Sequence, residues 1–290
     1  MRNGEGVEPG NVVPRHDDSA LIGVEVPCSR PLAFRQERQE RPQEEHGEAI
    51  PPAEMPASTH PPGHPARVAP RVLDAGVEEW SALVPIRGWE SGKSRLGLPG
   101  LARAMALDTV AALRACPGIV ELLVITHDDG VRSDFEPWGC TIVDDRDAGD
   151  LNAAIDRGAA QRTFASCIVV LGDLPTLVPS DLTMVLGRCG GAPHFVSDAH
   201  GTGSTMWLTA HGRVHTHFGE RSRARHIEDG AQELKAGPGD DPLAWSRLHR
   251  DVDDVVDLVD AVRLGVGAFT SEVVGYDRGA GLPVRPLREV

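Results

Sequence analysis

SCIVVLGDLPTL, residues 166–177, runs through an unbroken apolar segment, stops on Asp173 and meets Pro175 two residues later. A run this short, rich in Val and Ile and closed by a turn signal, reads as a strand buried on both faces. Working outward, IVELLVIT (119–126) is a second buried strand, and WSALVPI (80–86) and GCTIV (139–143) are shorter ones. HFVSD (194–198) and STMWLT (204–209) follow as further strands. A helical stripe of Leu101, Ala104, Met105, Leu107 and Ala111 fits 101–115, and a helix over 151–162 follows a capping Asp150. Another helix begins at Pro179 or Ser180 and reaches Gly187 or Arg188; 221–229 fits a short one and 253–264 the last. Strand and helix in alternation predict an α/β fold, a mostly parallel mixed sheet flanked by helices. Right-handed crossovers then line the loops along one sheet edge, and ligands in such sheets bind beyond the carboxyl ends of the strands.

The chain has 290 residues, a formal net charge of -14 and 40% hydrophobic residues, enough for one large core. That charge argues against nonspecific binding of a nucleic-acid backbone, which needs concentrated Lys and Arg. It leaves room for a small phosphate pocket with a local field of its own. Residues 1–79 hold 12 of the 23 prolines and little apolar patterning, and are expected to be a disordered extension. The folded domain is expected over 80–267, and 268–290 is expected to be a flexible C-terminal tail. No apolar run approaches the roughly 20 residues that cross a bilayer. The N-terminus lacks a cationic start followed by an apolar stretch, and the five cysteines are widely spaced and odd in number. A cytoplasmic protein, with no membrane or nucleic-acid partner, is the expectation; oligomerisation is compatible with it.

Three strand-end loops carry the candidate chemistry. In RGWESGKSRLG (87–97), Arg87, Lys93 and Arg95 stand among Gly88, Gly92 and Gly97, so positive charge and close backbone approach to a polyphosphate coincide. The glycine spacing is not that of a Walker loop, and a solvated surface loop has the same composition. In GDLPTL, Asp173 suits magnesium, which takes oxygen ligands, although a turn or helix cap uses an aspartate in the same way. In SDAHGTGSTMW (197–207), Ser204 and Thr205 offer hydroxyls beside Gly201 and Gly203, and Asp198 either meets a cation or closes the turn. Further on, Gly219, Arg221, Ser222, Arg223, Arg225 and His226 form an anion-receptor candidate whose bland reading is an exposed arginine-rich helix. Asp251 and Asp253 lie two apart on an extended segment, so both carboxylates share a face; Asp253 or Asp254 also suits an N-cap. His211, His215 and His217 lack a fixed fourth ligand for zinc.

Taken together, LVPIRGWESGKSRL, the THDD strand end at 126–129, DLNAAIDRG, GDLPTL, SDAHGTGST, FGERSRARH and RDVDDVVDL resemble the family of 2-phospho-L-lactate and phosphoenolpyruvate guanylyltransferases of deazaflavin coenzyme biosynthesis. The resemblance covers about 80–267. It implies a nucleotidyltransferase-like fold of the nucleotide-diphospho-sugar transferase type. It also implies a magnesium-dependent transfer of guanosine monophosphate from GTP to a phosphorylated three-carbon acid, with release of pyrophosphate. By that resemblance Lys93, Arg95 and Asp173 are catalytic, and Arg87, Gly92, Lys93 and Asn152 bind the nucleotide. Ser204, Gly219 and Ser222 meet the acceptor, and Asp173, Asp251 and Asp253 hold Mg2+. Three positions depart from the family pattern: Arg87 stands where a lysine is common, Ser204-Thr205 where Thr-Asn is frequent, and Asp254-Val255 where Thr-Pro is frequent. The acceptors left open are phosphoenolpyruvate, 2-phospho-L-lactate and another phosphorylated acid such as 3-phosphoglycerate. Use of another nucleotide and a noncatalytic nucleotide-binding protein stay open as alternatives.

Overall fold

Along β1 (Trp80–Pro85) alternate residues feed two different cores, because successive side chains of a strand leave opposite faces of the sheet. The computed structural model describes residues 78–89 and 96–275, all within one unit of the chain, Thr59–Val290. Trp80, Ala82 and Val84 join Ile168 and Val170 of β4 (Ser166–Val170) on one face. There they meet α1 (Leu101–Ala115), α2 (Asp129–Phe135), α4 (Pro179–Leu186) and α6 (Pro242–Leu248). Leu83, Cys167 and Val169 face the other way, onto α3 (Leu151–Ala159) and the segment bearing Val214 and Phe218. Every residue of β4 is buried, as an apolar run without alternation requires.

The remaining strands are β2 (Ile119–Ile125), β3 (Thr141–Val143), β5 (His194–Ser197), β6 (Ser204–Thr209) and β7 (Gln232–Glu233), and the sheet order is β3-β2-β1-β4-β6-β5-β7. β1 pairs in parallel with β2 and β4, and β2 with β3. β6 is antiparallel to both β4 and β5, while β7 is parallel to β5. The expected mostly parallel mixed sheet is therefore present. The chain grows outward from β1 through β2 to β3, then returns to lay β4 on the other side of β1. That reversal puts the switch point between β1 and β4, the crevice where sheets of this kind receive ligands.

Element ends shift for local reasons. β4 stops at Val170, so Asp173 lies in a turn beyond the strand instead of on its last residue. Asp150 caps α3 as expected, accepting the Ala153 N–H at 2.9 Å. α5 (Ser222–Glu228) and α7 (Val255–Leu264) are each trimmed at the start, and Asp254, not Asp253, is the N-cap of α7 in a capping box with Asp257.

The expected C-terminal tail begins with structure. α8 (Ala268–Val274) lies against α1 and buries Thr270. Asp108 of α1 caps it, accepting the backbone N–H groups of Phe269 (3.1 Å) and Thr270 (2.8 Å). Residues 1–77 and 276–290 lie outside the described residues, as do 90–95 of the glycine-rich loop. Among the described residues no helix is long and apolar enough to cross a membrane.

Candidate active site

The LGDLPTL turn (171–177) is fixed by several elements at once. Its Leu171 N–H reaches the Thr205 carbonyl of β6 (3.1 Å), and Leu174 N–H reaches the Thr109 hydroxyl of α1 (3.2 Å). The Thr176 hydroxyl donates to the Arg247 carbonyl (2.9 Å), and Gly267 N–H reaches the Pro175 carbonyl (2.9 Å). Most telling is the bond from Val252 N–H to the carbonyl of Asp173 at 3.2 Å. It lays the extended segment 251–253 directly beside the turn, so carboxylates almost eighty residues apart in sequence share one place. Pro175 stiffens the turn and Gly172 lets it pass closely by Ile86, whose Cγ1 would be 3.3 Å from an added Cβ.

Asp251 is the central carboxylate. Its Oδ1 is buried and has no hydrogen-bond partner among the described residues. Burial, and then the neighbouring Asp173, Asp253 and Asp198 carboxylates, push its carboxyl up to about 7. Asp253 is exposed on the solvent side of the same segment, and Asp251 lies close enough to both Asp173 and Asp253 to feel their like charges. Arg250, beside them, is turned away into an ion pair with Asp257 at 2.7 Å and does not neutralise the group. A desolvated, unbonded carboxylate oxygen with three carboxylate neighbours has the chemistry that suits a hard divalent cation taking oxygen ligands, although among the described residues these acids are not drawn together to ligand spacing. A cavity of about 450 Å3 opens on the flank, lined by Ser197, Asp198, His200, Gly201, His249 and Arg250. Asp198 itself closes the 198–203 turn, accepting N–H groups of Thr202 (2.9 Å) and Gly203 (2.7 Å).

A second cluster lies across β6. The hydroxyls of Ser204 and Ser222 are 2.8 Å apart, and both residues are buried. Gly219 (φ 118°) and Arg221 (φ 56°) both occupy backbone that favours glycine, and the turn they make delivers Ser222 to the start of α5. The three proposed acceptor residues thus come together. Of the arginines around them, Arg223 is engaged within the protein: it makes a bidentate pair with Glu233 of β7 (2.9 and 2.8 Å), which holds the Glu233 carboxyl down at about 2. Arg221 and Arg225 are exposed.

Asn152 lies in the first turn of α3 and clasps the chain before α5. Its Oδ1 accepts the Thr216 hydroxyl (2.9 Å) and the Phe218 N–H (2.8 Å), and its amide donates to the Phe218 carbonyl (3.0 Å). One amide hydrogen remains for any other partner. Arg87 is exposed just past β1, whereas Gly92, Lys93 and Arg95 lie outside the described residues.

Two groupings take a form that the sequence did not give. His226, read from the sequence as part of an anion receptor, is instead fully buried beneath Ser204 and Ser222, four residues after Ser222 on one helix. His215, His217 and Asp229 bring ligand-type atoms within 4.8 Å of one another at the surface; the aspartate closes α5, fourteen residues beyond the first histidine.

A switch-point crevice in a mostly parallel sheet, with carboxylates gathered at its mouth, defines a nucleotidyltransferase-like α/β protein. The sequence profile described as "Guanylyl transferase CofC like" matches residues 81–286, and the chain belongs to that family. It is 36% identical over 207 residues to the phosphoenolpyruvate guanylyltransferase of Salinispora arenicola, covering 68% of this chain and 94% of that one. It is 38% identical over 208 residues to the enzyme of the same name from Streptomyces coelicolor, covering 67% and 95%. Among solved structures, a nucleotidyl transferase from Methanothermobacter thermautotroptrophicus aligns at 16% identity with a TM-score of 0.44, over 64% of this chain and 98% of that one.

Proposed function

We propose that this chain is a magnesium-dependent guanylyltransferase that joins the guanosine monophosphate of GTP to phosphoenolpyruvate and releases pyrophosphate. The observation that carries the reading is the hydrogen bond that lays Asp251 beside the Asp173 turn, with Asp251 neighboured by both Asp173 and Asp253, in a member of the guanylyl transferase family. The names of its relatives favour phosphoenolpyruvate over 2-phospho-L-lactate and 3-phosphoglycerate as the acceptor. We assign the reaction to the biosynthesis of a deazaflavin coenzyme, on the family resemblance alone.

The acceptor phosphate is already anionic, so its oxygen attacks the α-phosphorus of GTP without a strong general base. The bond from that phosphorus to the bridging oxygen of the β-phosphate breaks, and pyrophosphate carries the electron pair away. Asp173, Asp251 and Asp253 would hold the ion; magnesium supplies charge neutralisation between the two reacting anions and at the leaving oxygen. Lys93, Arg95 and Arg87, with the backbone at Gly92, would take the triphosphate, and Asn152 would meet the nucleotide with its remaining amide hydrogen. Ser204, Gly219 and Ser222 would hold the acceptor. The rest of the advantage comes from holding both anions in line.

Mass spectrometry of mixtures containing GTP, magnesium and each acceptor in turn tests the reading. The guanosine diphosphate-linked adduct of phosphoenolpyruvate, with one pyrophosphate per adduct, is expected. Absence of that adduct, or its equal formation from ATP, CTP and UTP analogues, would count against the reading.

A further inference from the structure

We propose that His226 is a positioning residue: through Ser204 it sets the Ser222 hydroxyl as a hydrogen-bond donor for an oxygen of the anionic acceptor. This rests on the reading above that Ser222 meets the acceptor.

The direction of the relay follows from one bond. The backbone N–H of His217 lies 2.8 Å from Nε2 of His226, and an N–H can only donate. Nε2 is therefore the unprotonated nitrogen, and a neutral ring carries its hydrogen on Nδ1. Nδ1 faces the Ser204 hydroxyl at 3.3 Å, so it donates there. Among the described residues Ser204 has one other hydroxyl partner, Ser222 at 2.8 Å, which is the one acceptor there for the Ser204 hydrogen, so the relay runs from Ser204 to Ser222. Ser222 then accepts from inside the protein, and its own hydrogen is turned outward from the pair. Without His226, either serine can donate to the other, and half of those arrangements point the Ser222 hydrogen inward.

The ring has no room to reverse this order. It is wedged between Phe195 and Phe218, each with its ring centre 5.4 Å away, and Phe218 is itself held by Asn152. Burial pushes the imidazole pKa down to about 4, opposing a second ring proton; the nearby Asp229 acts weakly the other way. On its outer side Ser222 borders Gly203, where an added Cβ would come 3.7 Å from the Ser222 hydroxyl oxygen and 2.5 Å from the Asp198 carboxylate. The turned-out hydrogen thus sits on the same side as the 198–203 turn, which flanks the carboxylate group.

The two ring nitrogens can be mimicked separately. His226→Asn places an amide near Nδ1 and keeps a donor for Ser204, whereas His226→Gln places one near Nε2 and keeps only the acceptor for His217. His226→Gln is expected to raise KM for phosphoenolpyruvate about tenfold, with KM for GTP within about twofold, and His226→Asn to stay near wild type. A residue that only fills the core would move both substrates together in both variants, and that result overturns the proposal. Should neither variant fold, the proton position on the His226 ring of the wild type decides the question. If the wild type makes no adduct at all, the guanylyl reading fails separately. The relay is then read by nitrogen NMR of the histidine rings: a proton on Nδ1 of His226 supports it, and one on Nε2, or on both at neutral pH, refutes it.

Discussion

Asp251 is stable in the metal-free protein only at a cost. Its folded carboxyl titrates at about 7, well above the usual carboxylate value, because burial and three carboxylate neighbours resist its charge. The folded state therefore holds that proton more tightly than the unfolded chain does. Stability is unaffected below about pH 4, falls as the pH rises from about 4 to 7, and stays reduced above, by on the order of 3 kcal/mol. Asp251→Asn is accordingly expected to melt higher than the metal-free wild type at pH 8, with the gap closing near pH 4, while losing turnover. Equal melting temperatures across that range would contradict the assignment. Asp173→Asn is expected to lower turnover by about 100-fold or more without lowering the melting temperature; near-normal turnover with magnesium would count against its proposed role.

These acids were legible because an apolar strand ending in a carboxylate, and two aspartates at strand spacing, have few structural uses together. Asn152 and Arg223 were less so. Their composition suggested ligands, but the partners that engage them, Phe218 and Glu233, are set by the tertiary fold.

At the scale of elements, segments with a buried apolar run or stripe were readable, the short β3 and β5 among them, and those without one were not. β1, β2, β4, β6 and α1 appear within three residues of their expected ends, since each carries several buried side chains in a row or along one face. β7 is two residues long, and α2 buries only Val131 and Phe135, so neither has a period to detect. α8 was missed for a different reason: its cap comes from Asp108, 161 residues before Phe269, and no local signal announces it. That contact predicts a cost. Asp108→Ala leaves two N–H groups at the start of α8 unsatisfied and is expected to destabilise the protein by about 1–3 kcal/mol in urea unfolding. Gly267→Ala should do comparable harm, because its Cβ would fall 2.1 Å from the Asp108 carboxylate oxygen. Unchanged unfolding midpoints in both would mean that α8 contributes nothing to the fold.

The whole molecule is organised by the reversal at β1. Strand order brings the β4 turn to the switch point, and the hydrogen bond between Val252 and Asp173 draws the chain before α7 onto it, so the site needs almost the full length of the domain. The fold class could be read from alternation alone. The meeting of residues 173 and 251 could not, because nothing local specifies which loop returns to which strand. The family match begins at residue 81, and the curated relatives are covered to about 94% and 95% of their length. A chain starting at Glu78 is therefore expected to melt within a few degrees of the full chain and to keep its rate of pyrophosphate release. A large loss in either would give residues 1–77 a part in the fold or the reaction. One divalent ion shared by Asp173, Asp251 and Asp253 is the centre of the proposed chemistry. A crystal soaked with manganese, recorded at the manganese absorption edge, should give an anomalous peak bounded by Asp173, Asp251 and Asp253; a peak elsewhere, or none between them, would contradict it.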